Sequence, residues 1–103
     1  LPLWTLDSPP TGKAMHEAIA AYYSRERFVQ VAPYSDTAQL RNGTFLDAMT
    51  LNNTNIVEVS VFVNDATQEG LLVARLDNLG KGASGAAVQN MNIMLGLPEA
   101  LGL

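Results

Sequence analysis

Ile56-Val57-Glu58-Val59-Ser60-Val61-Phe62-Val63 is the stretch on which the fold turns. Successive side chains of an extended chain point to opposite faces. Val57, Val59, Val61 and Val63 therefore share one face, and Ile56, Glu58, Ser60 and Phe62 share the other. Alternation of β-branched residues at period two is the pattern of a half-buried strand. Asn64 to Gly70 is polar, and Leu71 to Asp77 reads as the returning strand. The two form an antiparallel hairpin whose loop is longer than the tightest type. The valine face is expected to pack on helices. The Glu58/Ser60 face is expected to be partly exposed or covered by another chain.

Upstream, Leu3 to Leu6 alternates weakly and reads as a short strand, stopped by Ser8-Pro9-Pro10-Thr11. Ser8 or Thr11 is a candidate cap for a helix from about Gly12 to Arg25. Met15, Ala18, Ile19 and Tyr22 recur at helical spacing as its apolar face. Phe28 to Ala32 reads as a second strand, ended by Pro33. Tyr34 to Asn55 is the least regular region, with turn signals at Asn42-Gly43 and Asn52-Asn53-Thr54-Asn55. A short strand or helical turn fits between them. The glycosylation triplets that begin at Asn42 and Asn52 read as chance in an Asn/Thr-rich loop. The order β, α, β, irregular, β, β, α predicts an α+β fold, helices on one face of a mainly antiparallel or mixed sheet.

One small domain is what 103 residues allow. Charged residues make up 16%, below the usual quarter, which suggests that some surface is normally covered. A net charge of -4 and a pI near 4.6 disfavour nucleic acid and anionic membranes as partners. There is no cysteine, hence no disulfide, thiolate metal site or cysteine nucleophile in these residues. That fits a cytoplasmic protein. No apolar run is long enough to cross a bilayer. The opening Leu1-Pro2-Leu3-Trp4, with no initiator Met, looks cut from something longer.

Downstream of the hairpin, Gly80-Lys81-Gly82-Ala83-Ser84-Gly85 matches G-x-G-x-x-G between a strand and a helix. A dinucleotide fingerprint also needs a second strand with an acidic residue about 20 positions on, and no room for it remains before Leu103. A phosphate-cradling P-loop fails because Lys81 precedes Gly82, not Ser or Thr. Two readings stay open. The small residues let the helix pack closely on the sheet, or they seat a helix start, with its free N–H groups, against a ligand held by another domain. Gln89, Asn90 and Asn92 favour the second, since buried amides need partners that a second domain could supply. Met91, Met94 and Leu95 read most simply as core.

Asp77-Asn78-Leu79, Lys81-Gly82-Ala83, Ala87-Val88-Gln89-Asn90-Met91-Asn92 and Gly96-Leu97 together resemble the C-terminal signature of N-acetyl-gamma-glutamyl-phosphate reductases. Leu72-Val73-Ala74-Arg75-Leu76 and the early helix with Ala20-Ala21-Tyr22-Tyr23 also fit, in the family's shorter form. The resemblance implies a two-domain enzyme. A Rossmann domain binds NADP, and an α+β domain similar to the C-terminal domain of glyceraldehyde-3-phosphate dehydrogenases holds substrate and builds the homo-oligomer. Residues 1–77 would belong to that second domain, and 78–103 would be the turn and terminal helix returning to the NADP-binding domain. The implied reaction reduces an acyl phosphate to a semialdehyde with release of phosphate, in arginine biosynthesis. A cysteine forms a thioester, hydride comes from NADPH and a histidine assists proton transfer.

These residues hold no such cysteine, so the resemblance assigns them no catalytic group and no metal ligand. His16 matches no family motif and reads as a solvated helix histidine. Asn78 matches the family asparagine placed near the nicotinamide carboxamide, which an amide's donor and acceptor suit. Lys81, Gly82 and Ala83 complete the implied cofactor-binding set. Aspartate-semialdehyde dehydrogenases share the Asp-Asn-Leu and Lys-Gly-Ala elements and are one alternative. A non-enzymatic α+β oligomerisation or binding module is another.

Overall fold

The computed structural model describes residues 1–34 and 40–103. Its centre is the predicted hairpin, β4 (Val57–Asn64) and β5 (Glu69–Leu76), paired antiparallel from Val57 with Leu76 to Asn64 with Glu69. A short strand β1 (Val29–Val31) lies parallel to β4, Val29 opposite Val57, which gives a mixed sheet in the order β1-β4-β5. The fold is α+β, as the element order implies. The irregular region contributes a small hairpin, β2 (Leu40–Arg41) and β3 (Phe45–Leu46), turning on Asn42-Gly43. Both turn residues have positive φ, 56° and 68°, the geometry that makes Asn-Gly a hairpin signal.

Helix α1 (Gly12–Tyr22) starts on one hydroxyl and one carboxylate acceptor. Thr11 Oγ1 accepts from the Ala14 N–H at 3.2 Å, and Asp65 Oδ1 in the β4–β5 loop accepts from the Gly12 N–H at 2.8 Å. The second bond ties the helix start to the sheet. Gly12 is buried because Tyr34 and Val63 stand where its side chain would be, with Val63 Cβ 2.7 Å from that position. The helix therefore lies on the valine face, as expected.

Four local expectations are corrected. Leu3–Thr5 forms a 3-10 turn rather than a strand. Pro2 has no N–H, so only Leu1 and Leu3 donate to the edge of β5, Leu3 to Gln68 at 2.8 Å. The α1 helix ends at Tyr22, and its inward face is Met15, His16, Ile19, Ala20 and Tyr23. Ala18 and Tyr22 face out, Tyr22 at 78% exposure, where its ring meets Tyr23 edge-on. His16 is not a solvated residue. Its ring packs between helix and sheet, with Nε2 2.8 Å from the Ala32 carbonyl oxygen and the ring 5.6 Å from that of Tyr34. A carbonyl partner is what lets an imidazole replace an aliphatic side chain on a packed face. Finally, Ser60 on the second sheet face is covered by this chain itself, at 1% exposure.

That second face carries Glu58 opposite Arg75, a nearly buried ion pair, and Arg75 also donates from Nη1 to the Asp47 carbonyl at 2.8 Å. Arg75 thus straps the small hairpin's outgoing strand over the sheet. The covering is incomplete. Phe45, Phe62, Leu71 and Val73 border an apolar cleft of about 380 Å³. The buried apolar side chains among the described residues are Leu3, Phe28, Ala32 and Val61. A core this thin leaves large apolar surfaces open, beyond what isolated surface leucines account for.

Candidate functional site

The chain leaves β5 at Asp77, and this carboxylate organises the turn beyond the strand. Its Oδ1 accepts from the Leu79 N–H at 2.9 Å and its Oδ2 from the Asn53 N–H at 2.8 Å. The Leu79 N–H, then the Asn53 N–H and the Gly80 N–H, stabilise the ionised form and hold the carboxyl below its ordinary range. Asn53 itself sits at φ 61°, in the left-handed region that asparagine tolerates, and this turns its N–H toward Asp77.

Gly80–Ser84 then forms a π-helical turn that runs directly into α2 (Gly85–Met94). Its bonds reach five residues back: Gly82 N–H to Asp77 O at 2.8 Å, Ser84 N–H to Leu79 O at 3.1 Å, and Gly85 N–H to Gly80 O. The Ser84 hydroxyl also donates to Leu79 O at 2.7 Å. This corrects the expectation of free N–H groups at the helix start for Gly82, Ser84 and Gly85. The wider register brings carbonyls within reach of N–H groups that an ordinary first turn leaves open.

Gly85 is buried against Asn55, whose Oδ1 lies where a Gly85 side chain would stand, and Gly80 O is 2.9 Å from the same position. From Asn55 a polar chain extends along α2. Asn55 Nδ2 donates to Gln89 Oε1 at 3.0 Å, Lys81 Nζ donates to the same oxygen, and Gln89 Nε2 donates to Glu99 Oε1 at 2.5 Å. Asn92, at 1% exposure, donates from Nδ2 to the Glu99 and Leu101 carbonyls. The amides of Gln89 and Asn92 thus find their partners inside this chain rather than in a second domain, while Asn90 is exposed. Met91, Met94 and Leu95, expected in the core, are exposed, Met94 at 85%. Gln89 and Asn92 face inward, whereas Met91, Ile93 and Met94 face out.

The four residues singled out by sequence separate into two groups. Asn78, Gly82 and Ala83 are exposed. The Asn78 side-chain oxygen lies 3.5 Å from the position a Gly82 side chain would take, so amide and glycine form one edge. Among the described residues nothing hydrogen-bonds the Asn78 amide. Lys81 is half-buried and turned inward, its Nζ 5.5 Å from the centre of the Phe28 ring. A cleft of about 330 Å³ opens beside the turn, bordered by Asn53, Thr54, Asp77, Leu79, Gly80 and Ser84, and Asn78 does not line it. Among the described residues no cluster of His, Asp and Glu is arranged to hold a metal. Asn55, Asp77 and Gln89 were missed as a group. Asp-Asn before a glycine run and Asn-rich turn letters marked two of the positions, but their meeting is a tertiary fact.

The chain is 73% identical over all 103 of its residues to N-acetyl-gamma-glutamyl-phosphate reductase 2 of Nostoc sp.. It is 72% identical over the same 103 residues to N-acetyl-gamma-glutamyl-phosphate reductase of Trichormus variabilis. The similarity to these two reductases runs along the whole chain. It is also 50% identical over 99 residues to the reductase of that name from Mesorhizobium japonicum. It spans 32%, 32% and 31% of those three proteins, about a third of each. No family model matches it. Among its described residues no helix is long and apolar enough to cross a membrane.

Proposed function

We propose that this chain is the C-terminal part of a cytoplasmic NADP-dependent reductase that converts N-acetyl-glutamyl phosphate to N-acetyl-glutamate semialdehyde and phosphate, in arginine biosynthesis. The observation that carries the proposal is 73% identity, across the whole chain, to a protein named for that reaction. Residues 1–77 form part of the substrate and oligomerisation domain. Residues 78–103 return to the Rossmann domain of the same protein. The exposed Met91, Ile93, Met94 and Leu95 on α2 supply apolar surface for that return, and the cleft at Phe45 and Leu71 supplies surface for a second copy.

NADP fits the Asn78 edge in a particular way. When bound it supplies the hydride. Asn78 offers a donor and an acceptor that no described residue engages, and the small residues Gly82 and Ala83 leave the backbone beside it open. The N–H groups of Leu79, Gly82, Ser84 and Gly85 are already taken by the Asp77 carboxylate and by carbonyls. A carboxylate at a helix start occupies the place an anion would favour and repels another. This edge therefore suits the uncharged carboxamide end of the nucleotide rather than its phosphates. Lys81 belongs to the edge by its backbone.

The test uses the full-length protein, with N-acetyl-glutamyl phosphate and aspartyl phosphate offered separately and NADPH consumption followed. Turnover of the first substrate, and none by residues 1–103 alone, is the expected result. Preference for aspartyl phosphate, or turnover by residues 1–103 alone, overturns the proposal.

A further inference from the structure

The ammonium group of Lys81 is engaged on two sides by its own chain. Nζ donates to Gln89 Oε1, eight positions on, and stands over the face of Phe28, which is itself buried. A cation over an aromatic face and against an amide oxygen is held by both. Gln89 Oε1 also receives Asn55 Nδ2, and Gln89 Nε2 reaches Glu99. Asn55 is only 8% exposed, and its Oδ1 has no hydrogen-bond partner among the described residues. It is kept in place by its single bond to Gln89 and by the absence of a side chain on Gly85. Gln89 is thus the point at which the 53–55 turn, the π-helical turn, α2 and the tail at Glu99 are joined.

We infer that Lys81 is a positioning residue acting through Gln89, not a group that touches the cofactor. The inference rests on the proposal that the Asn78 edge meets NADP. A π-helical turn is rare, occurs mostly as a single turn, and survives where its surroundings specify it. Here the Lys81 side chain pins the turn's middle to α2, and this fixes where Asn78 and Gly82 stand. Held in advance, the edge binds without an ordering penalty.

The test is a cycle of variants in the full-length protein: Lys81→Met, Gln89→Leu and the pair together. NADPH affinity is read from nicotinamide fluorescence, and hydrogen exchange is read at the amides of residues 80–85. Each single change is expected to weaken NADPH roughly tenfold, the scale of one lost buried polar partner. The pair is expected to be no worse than the worse single change, because both cut one linkage. Exchange at residues 80–85 rises in step. The salt dependence of binding is the same in wild type and Lys81→Met, since no charge contact to nucleotide is lost. Exchanging the two tail partners, Gln89→Glu with Glu99→Gln, keeps an acceptor for Lys81 and holds affinity within roughly threefold of wild type.

Additive losses in the pair, or a weaker salt dependence in Lys81→Met, overturn the inference and make Lys81 a direct ligand. Exchange at residues 80–85 unchanged in both single variants overturns it as well. A wild-type protein that binds no NADPH overturns the proposed function and this inference with it.

Discussion

Replacing Gly85 by alanine sets helix propensity against packing, and the local geometry decides which wins. On propensity alone the change is favourable by about 1 kcal/mol, because glycine is the poorer helix former. At this position the new methyl group would stand on Asn55 Oδ1 and 2.9 Å from Gly80 O. Gly80 O is backbone inside the π-helical turn and cannot move without breaking the Gly85 N–H bond to it. Overpacking of this kind costs about 1–3 kcal/mol. Displacing Asn55 also breaks its bond to Gln89, worth about 1 kcal/mol. The sum less the propensity gain is a net loss of about 1–3 kcal/mol. The assay is native-state hydrogen exchange of the α2 amides in the full-length protein, which reads local opening directly. Exchange should quicken about 5- to 150-fold, the equivalent of that loss. Adding Asn55→Ala removes the obstructing oxygen, so the pair should lose less than the two single changes summed. Unchanged or slower exchange in Gly85→Ala would mean that the close approach of Asn55 is not there, and the linkage built on it would fall.

Other contacts carry three more expected outcomes. Asp77 is held below the usual carboxylate range by three N–H donors, so its contribution to stability is fully present above the ordinary carboxylate pKa and is lost as pH falls through the lowered folded value. Acid titration followed by hydrogen exchange at residues 79–84 should show this loss, and Asp77→Asn should weaken the turn at neutral pH while removing that acid step. Asn78→Ala should weaken NADPH binding by the full-length protein about fivefold to tenfold with no change in thermal midpoint, since no described residue hydrogen-bonds its amide; equal affinity in the variant would detach Asn78 from the cofactor. Arg75→Met leaves Glu58 as an uncompensated, largely buried carboxylate and should destabilise the domain by about 3 kcal/mol in denaturant titration.

The strand pair and the faces of its first strand were legible because valine alternation carries them locally, and Asn42-Gly43 marked its own turn for the same reason. The features misread depend on partners distant in sequence. His16 looked like a surface residue because nothing on its own helix announces the Ala32 carbonyl that accepts its ring. The 3-10 turn at Leu3–Thr5 is set by where β5 offers an edge, and proline spacing alone does not locate that edge.

The terminal helix shows the same limit with more consequence. Its glycine run was recognised as unusual, but G-x-G-x-x-G is compatible with a phosphate cradle, a tight packing seam and a π-helical turn. What separates these is where each N–H goes. Once Asp77 and the five-back carbonyls have taken those of Leu79, Gly82, Ser84 and Gly85, the turn has less left for an anion, and the Asn78 amide stands open beside Gly82. Polarity along α2 points the same way. A helix that turns Gln89 and Asn92 inward to Asn55, Lys81 and Glu99, and Met91, Ile93 and Met94 outward, is specified on one side by polar satisfaction and left to be covered on the other. The inward side fixes the Asn78 edge in register with the outward side. A domain that docks on Met91, Ile93 and Met94 therefore meets that edge at a predetermined place, and the two surfaces must fail together when Gln89 is cut.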